Sequence, residues 1–350
     1  MIYRAKAPLR ISFCGGGTDV APYPEERGGC VLSATIDKYA WASVQPRRGG
    51  EIEIASLDFG LTRTYPAGRL AFDGELDLAI GVLNHFHELR GGLPGGVQVT
   101  LHCDAPPGSG LGSSSTVVAT LVGGIAQWLG VPLTPYEIAE TTYKVERLDV
   151  RLSGGRQDQY AAAFGGFNFI EFLADQTIVN PLRIPRETVN ELEYHLLLAY
   201  TGGTRTSARI VDTQMERFRK REAEAVAGLD ELKRLTTELK NLLLKGQLDA
   251  FGRRLHTAWE AKKRLAEAIT NATIDGLYAA ARAEGALGGK ILGAGGGGHL
   301  LIYCPIERKS AIAAALTRHG GRIVPFAFEE RGLQTWRVPG EDDPPRGVPA

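Results

Sequence analysis

The sequence has no net charge, because its 40 basic and 40 acidic residues cancel. A balanced chain has no long-range field to recruit nucleic acid or an anionic membrane, so any polyanionic ligand must be bound locally. Cysteine is sparse. The four cysteines, Cys14, Cys30, Cys103 and Cys304, form no CxxC pair, and two of them lie in the apolar strand-like runs VQVTLHC and HLLIYC. They read as reduced structural thiols, not as a disulfide or metal framework. The opening MIYRAKAPLRISF has neither an uninterrupted apolar core nor a cleavage-site pattern, so no signal peptide and a cytoplasmic location are expected. No repeat of fixed period is present. No charge occurs between Asp104 and Glu137, and a membrane span needs only about 20 apolar residues. Its many Pro, Gly and Ser residues and Gln127 exclude a span, which leaves a buried helix after a tight turn.

With 350 residues the chain is long enough for two domains, since single cores stop growing at roughly 250 to 300 residues. The first half alternates β-branched runs, CVLSATIDKYAWASVQ, EIEIAS and VQVTLHCD, with the glycine-rich punctuation RRGG and GGLPGG, which predicts sheet with hairpin turns. Helices are expected from about Ser114 to Leu129 and from Pro135 to Arg147. The second is signed by a capping box of Thr134, Pro135 and Glu137. From Ser207 to about Glu284 the pattern is helical, with Val226, Leu229, Leu232, Leu235, Leu239 and Leu242 drawing one apolar stripe. A glycine cluster, the strand-like HLLIYCP, a helix near Ser310 to His319 and the strand-like RIVPFAFE follow. The tail GEDDPPRGVPA has a disordered composition. Sheet and helix on both sides of about residue 190 predict two α+β domains with a cleft between them.

Four segments carry chemistry. PPGSGLGSSST, Pro106 to Thr116, sits between a strand and a helix. Its small residues let the backbone approach a ligand, and the helix N-terminus offers N–H groups with partial positive charge, a natural phosphate site. It lacks the lysine of a Walker loop and fits GxGxxG only loosely, while its serine run places a hydroxyl within reach of a phosphate-bound metal. In SGGRQDQYAAAFGGFNF, Asp158 is either a cap or a carboxylate that orients an attacking hydroxyl and takes its proton. Glu146 lies near the end of the capped helix, where the dipole disfavours an acid unless a cation compensates. In KILGAGGGGHLL the run Gly295, Gly296, Gly297, Gly298 must be a loop, flexible or pressed against a ligand or another backbone. PLRISFCGGGTD offers Arg10 to neutralise phosphate and Asp19 either to accept sugar hydroxyls or to cap a turn.

In this order the segments resemble the GHMP kinase superfamily over nearly the whole chain. The resemblance implies an α+β, two-domain GHMP kinase fold. Residues 1–190 would form an N-terminal domain like domain 2 of ribosomal protein S5, residues 191–338 a ferredoxin-like C-terminal domain, and residues 339–350 a disordered tail. It implies ATP and Mg2+ as cofactors. Pro107, Gly108, Ser109, Gly110, Leu111, Gly112, Ser113, Ser114 and Ser115 match the loop that wraps the nucleotide phosphates, and Ser114 and Glu146 match its magnesium ligands. Asp158 and Arg10 match its catalytic pair. Galactokinase-like members carry Glu-His where this chain has Gly16 and Gly17, which argues against galactose. Together with GGCVLSATIDKY and TGGTRTSA, the first motif resembles the branch that phosphorylates the anomeric hydroxyl of D-glycero-D-manno-heptose 7-phosphate, with fucokinase-like sugar 1-kinases as the alternative. Gly16, Gly17, Thr18, Asp19 and Arg10 would then meet the sugar, and Gly202, Gly203, Thr204 and Arg205 its phosphate. The expected partner is a small sugar phosphate, with no nucleic acid and no membrane; these motifs do not encode the choice between monomer and homodimer. A non-catalytic nucleotide-binding regulator would be expected to lose Asp158 or Glu146, and a decarboxylase of the mevalonate branch lacks GGGTD.

Overall fold

A computed structural model describes residues 1–203 and 207–339. The chain runs β1 (Ile2–Cys14), α1 (Tyr23–Arg27), β2 (Gly29–Arg47), β3 (Ile52–Ser56), β4 (Leu61–Tyr65), α2 (Asp77–Arg90), β5 (Gly96–Cys103) and α3 (Ser113–Leu129). Then come α4 (Pro135–Tyr143), a π-helical turn (Lys144–Asp149), α5 (Gln157–Phe164), β6 (Phe167–Phe172), β7 (Thr177–Pro181), α6 (Arg186–His195) and β8 (Leu196–Tyr200). The remainder is α7 (Ser207–Arg219), α8 (Ala223–Leu244), α9 (Leu248–Lys263), a 3-10 turn (Glu267–Ile269), α10 (Ala272–Ala283), β9 (Gly288–Ile291), β10 (His299–Tyr303), α11 (Ile306–Arg318), β11 (Arg322–Ile323) and β12 (Gln334–Val338).

An eight-stranded sheet is ordered β12-β1-β2-β5-β3-β4, with β6 and β7 joined to it through β2. The long β2 pairs with β1 on one edge and is shared on the other, where its first half pairs with β6 and its second with β5. A four-stranded sheet, β11-β8-β10-β9, belongs to the second half. The two α+β halves expected from the sequence are present. The boundary at 338 needs correction, because Gln334–Val338 returns to the first sheet and pairs antiparallel with Ile2–Lys6. RIVPFAFE also departs from expectation: only Arg322–Ile323 is strand, and Phe328 makes one isolated bridge to Ile36. From residue 340 the expected tail lies outside the described residues.

The uncharged segment after Asp104 is α3, packed against the sheet and α2, which explains its lack of charge. No helix among the described residues is long and apolar enough to cross a membrane. The capping box of α4 forms as expected, with Glu137 N–H donating to Thr134 Oγ1 and Thr134 N–H to the Glu137 carboxylate. On α8, Leu229, Leu232, Leu235 and Leu239 are buried, and the stripe ends on Leu243, with Leu242 only half-buried.

One apolar core crosses between the halves. It joins Leu9, Ile11 and Phe13 of β1 to Leu229 on α8 and Phe251 and Trp259 on α9, and Phe13 meets Phe251 edge to face at 5.4 Å. Fully burying side chains of this size stabilises by about 1.5–3 kcal/mol each, so the shared core holds the two halves together. The cleft lies between the two halves, beside this shared core.

Candidate active site

The cleft has a volume of about 490 Å³ and is lined by both halves. Its charged lining is balanced: Arg10, Arg147 and Lys262 against Asp19, Glu146 and Asp158.

The loop before α3 is built by alternation. Gly108, Gly110 and Gly112 have φ of 73°, 79° and 79°, a left-handed backbone that favours glycine, and all of them face the cleft together with Pro107, Ser113, Ser114 and Ser115. The two expected nucleotide contacts between these glycines are corrected. Ser109 and Leu111 are buried and do not line the cleft; alternation turns them into the body, where Leu111 accepts from the Arg10 N–H at 3.0 Å. The α3 N-terminus has Gly112 at its cap position and no side-chain cap, which leaves its first N–H groups to an anion.

The C-terminal glycine run braces this loop. A Cβ on Gly110 would lie 2.6 Å from the Leu292 carbonyl, and one on Gly298 would lie 2.4 Å from that of Ser109. His299 donates its N–H to the same Ser109 carbonyl at 3.0 Å. Of the three readings, flexible, against a ligand or against another backbone, the last applies to Gly295 and Gly298, whose Cβ positions meet the Ile269 and Ser109 backbones, and to Gly296, which donates its N–H to the Ile269 carbonyl; none of Gly295, Gly296, Gly297 and Gly298 lines the cleft, whereas Gly293 and Ala294 do.

Arg10 ties the site together. Its Nε and Nη2 meet Asp158 Oδ1 at 2.7 Å, and its Nη1 donates to the Gly110 carbonyl at 2.6 Å. Asp158 lies in the first turn of α5, where the helix dipole favours a carboxylate. The start of α5 is in turn fixed by Asp19, whose Oδ2 accepts from the Arg156 and Gln157 N–H groups and Gln157 Nε2, and whose Oδ1 accepts from the Gly17 N–H. Asp19 lines the cleft but acts as the turn cap that was its alternative reading. Only glycine fits beside it, since a Cβ on Gly155 would lie 1.9 Å from its carboxylate. Thr18 departs from its expected sugar contact: it is fully buried, off the cleft, and its hydroxyl bonds the Gly15 and Cys30 carbonyls.

Glu146 sits in the π turn and is almost completely buried, against the surface-acid alternative. Ser115 Oγ donates to its Oε1 at 2.9 Å and Gln159 Nε2 to its Oε2 at 2.5 Å, while Arg147 stands 3.8 Å away. Burial raises its pKa, an effect that Arg147 and the two hydrogen bonds oppose. The expected partner Ser114 is exposed on the cleft wall, and Ser115 is the hydroxyl that touches Glu146. Among the described residues no cluster of three or more His, Cys, Asp or Glu could hold a metal. One buried carboxylate with neighbouring hydroxyls fits a magnesium ion that takes its remaining ligands from phosphates and water.

Sequence reasoning missed the far end of the cleft. Lys262 on α9 is buried and donates to the Gly16 carbonyl at 2.8 Å and to Gln214 Oε1 at 3.3 Å. Burial pulls its pKa down to about 8, with the Asp19 charge working the other way. Lys290 on β9 stands behind it, bonded to the Ser12 carbonyl at 2.7 Å, and burial with the charges of Lys262 and Arg10 lowers its pKa to about 7. In EAKKRL, Lys262 reads as one more solvated helix charge, and no local signal marks it. Gly202 and Gly203 are exposed and off the cleft, Gly203 accepting from the Gly298 N–H; Thr204 and Arg205 lie outside the described residues.

The N-terminal domain of the GHMP kinases matches residues 77–166, and their C-terminal domain matches residues 239–322. The D-glycero-alpha-D-manno-heptose 7-phosphate kinase of Campylobacter jejuni is 34% identical over 337 residues, 96% of this chain and 99% of that protein. The chain belongs to the GHMP kinases. This kinase also superposes on the crystal structure of a D-glycero-D-manno-heptose 1-phosphate kinase from Bacteroides thetaiotaomicron with a TM-score of 0.82, at 36% identity over 97% of this chain and 100% of that one. It is 26% identical to the L-fucokinase/L-fucose-1-P guanylyltransferase of Bacteroides fragilis, over 95% of this chain and 38% of that longer protein. Membership makes the protein an ATP-dependent kinase of two-domain α+β fold.

Proposed function

We propose that this kinase moves the γ-phosphoryl group of ATP onto the anomeric hydroxyl of D-glycero-D-manno-heptose 7-phosphate, giving the 1,7-bisphosphate. The observation that carries the reading is end-to-end similarity to a heptose 7-phosphate kinase at 34% identity, joined to a first motif bare of side chains at Gly16 and Gly17. The glycine loop and the α3 N-terminus hold the nucleotide phosphates. Magnesium, when bound through Ser114 and Glu146, neutralises charge on them.

The anomeric oxygen attacks the γ-phosphorus, the bond to the bridging β–γ oxygen breaks, and ADP leaves with that electron pair. Asp158 orients the hydroxyl and accepts its proton. The ion pair with Arg10 fixes Asp158 in place, and in phosphoryl transfer positioning and charge neutralisation outweigh strong base catalysis. Arg10 reaches both Asp158 and the phosphate loop, so it sets the acceptor against the donor. The substrate's 7-phosphate is assigned to Arg205, whose planar fork suits phosphate.

The test is ADP release with heptose 7-phosphate, free heptose and L-fucose, with phosphorus NMR of the product. Efficient use of heptose 7-phosphate with a new anomeric phosphate supports the reading. Preference for L-fucose moves the assignment to the fucokinase-like branch, which the 26% similarity favours as the second reading.

A further inference from the structure

We propose that Lys262 and Gln214, supplied by two helices of the C-terminal half, bind hydroxyl groups of the acceptor sugar at the end of the cleft beside Gly16 and Gly17. This rests on the sugar kinase reading and adds to it the side chains that recognise the sugar body.

The first observation is a substitution in space. A Cβ on Gly17 would stand 3.4 Å from Lys262 Nζ and 3.4 Å from Gln214 Oε1. The first motif therefore offers no side chain there, and α9 and α7 fill the region with polar groups instead. Both residues line the cleft and are nearly inaccessible otherwise, at 5% and 2% exposure.

The second observation is unused hydrogen-bonding capacity. An ammonium has three donors; Lys262 uses two, on the Gly16 carbonyl and on Gln214 Oε1. Among the described residues, Gln214 Nε2 is buried without a partner, and so is Oε1 of Gln157, which also lines the cleft. Buried polar groups are rarely left unpaired, at a penalty of about 1–3 kcal/mol each. Two unpaired buried atoms and one spare ammonium donor at one end of a cleft mark a place where a ligand completes the network.

The chemistry of the set selects the ligand. It presents donors from Lys262 and Gln214 beside an acceptor on Gln157, and Asp19 balances the lysine charge nearby. Donors mixed with an acceptor suit hydroxyl groups, which do both. A phosphate dianion only accepts, and it would be repelled by Gln157 Oε1 and Asp19. The ring hydroxyls belong here, and the acceptor's phosphate belongs elsewhere.

The test compares Lys262→Met and Gln214→Met with the wild type, measuring KM for the preferred sugar phosphate, for the same sugar without its phosphate, and for ATP, together with nucleotide affinity. Methionine matches the reach of glutamine and the unbranched stem of lysine, one atom short of Nζ, and removing a buried lysine charge relieves desolvation, so both variants are expected to fold. Loss of a hydrogen bond to a charged group predicts a rise in acceptor KM of roughly 10- to 100-fold for Lys262→Met, equal for both sugars, with ATP KM and nucleotide affinity within about twofold. Against a series of deoxy sugars, one analogue should lose most of the Lys262→Met penalty, because the partner hydroxyl is already gone; a merely structural lysine would show no such coupling. Unchanged acceptor KM in both variants overturns the proposal, and so does a penalty confined to the phosphorylated sugar, which would make Lys262 a phosphate reader. A wild type that turns over no sugar overturns the sugar kinase reading and this proposal together, whereas the two preceding outcomes leave that reading standing.

Discussion

The two ends of the cleft are built on different principles. The nucleotide-phosphate end is made mostly of backbone: glycines at 108, 110 and 112 with positive φ, an uncapped helix start, and a second glycine run packed behind. The acceptor end is made of side chains from elements far apart in sequence, Asp19 before α1, Gln157 on α5, Gln214 on α7 and Lys262 on α9. A backbone site serves a ligand common to a whole superfamily, since N–H groups read phosphate whatever the neighbouring side chains are. A side-chain site is free to change with the acceptor, and specificity resides there.

The largest expected effect falls where the two ends meet. Asp158→Asn keeps the shape but removes the charge paired with Arg10, and kcat should fall at least about a hundredfold while nucleotide binding stays near normal. Turnover close to wild type in a folded variant would take Asp158 out of the chemistry and dissolve the division at that residue.

The next effect belongs to the acceptor side alone. Arg205→Ala should raise KM for a sugar 7-phosphate by roughly 10- to 100-fold, the range of a lost charged hydrogen bond, and leave the ATP constant unchanged. Steady-state kinetics with each substrate varied in turn decides it; equal effects on both constants would mean that Arg205 does not discriminate between the ends.

A smaller effect sharpens the nucleotide end. Ser114→Ala should shift the magnesium concentration for half-maximal activity upward by about tenfold, the scale of one modest ligand interaction, with recovery at high magnesium. Ser115→Ala removes the 2.9 Å hydrogen bond to Glu146 and should lower activity without that recovery. If only Ser115→Ala shows the magnesium shift, the ligand hydroxyl belongs to Ser115 and the assignment moves by one residue.

The last effect is on stability, not on activity, and concerns the charge behind the acceptor end. Burial holds the Lys290 pKa near 7 in the folded chain, against about 10.4 unfolded. Between pH 7 and 9 the unfolded chain keeps the proton that the native state releases, so this lysine makes stability rise with pH. Lys290→Met should flatten that rise by about 2 kcal/mol across the window and stabilise the protein most at pH 7. Denaturant unfolding at both pH values measures it; parallel pH profiles for the two proteins would show that Lys290 stays charged when buried.

The motifs made of local backbone were legible from the sequence. Three glycines and a serine run between an apolar strand and an apolar helix have few other uses. The capping box on α4 and the leucine stripe on α8 follow from spacings of three and four. Ser109 and Leu111 were misplaced because a contiguous motif says nothing of which alternate residues turn inward. Thr18 was misplaced, and the run Gly295 to Gly298 left open between ligand and backbone, for a related reason: a polar residue and a glycine loop look the same in sequence whether they meet a ligand or another part of the chain. The end of the second domain was misjudged because β12 joins the sheet of β1 across almost the entire chain length, and edge pairing leaves no mark on composition.

By itself the sequence determined the two-sheet architecture, the phosphate loop, the pairing of a carboxylate with a basic residue as a catalytic idea, and the family. The architecture and the loop follow from periodicity, small residues and short spacings, which act over a few residues of chain; the catalytic pair, 148 residues apart, and the family came from the resemblance that the ordered motifs carry. Only the tertiary structure decided that Asp19 holds the start of α5, that Ser115 and not Ser114 touches Glu146, and that Lys262, Lys290 and Gln214 are buried around the cleft. Burial is a property of packing between distant elements, and it is burial that turns an ordinary helix lysine into a charge seeking a partner.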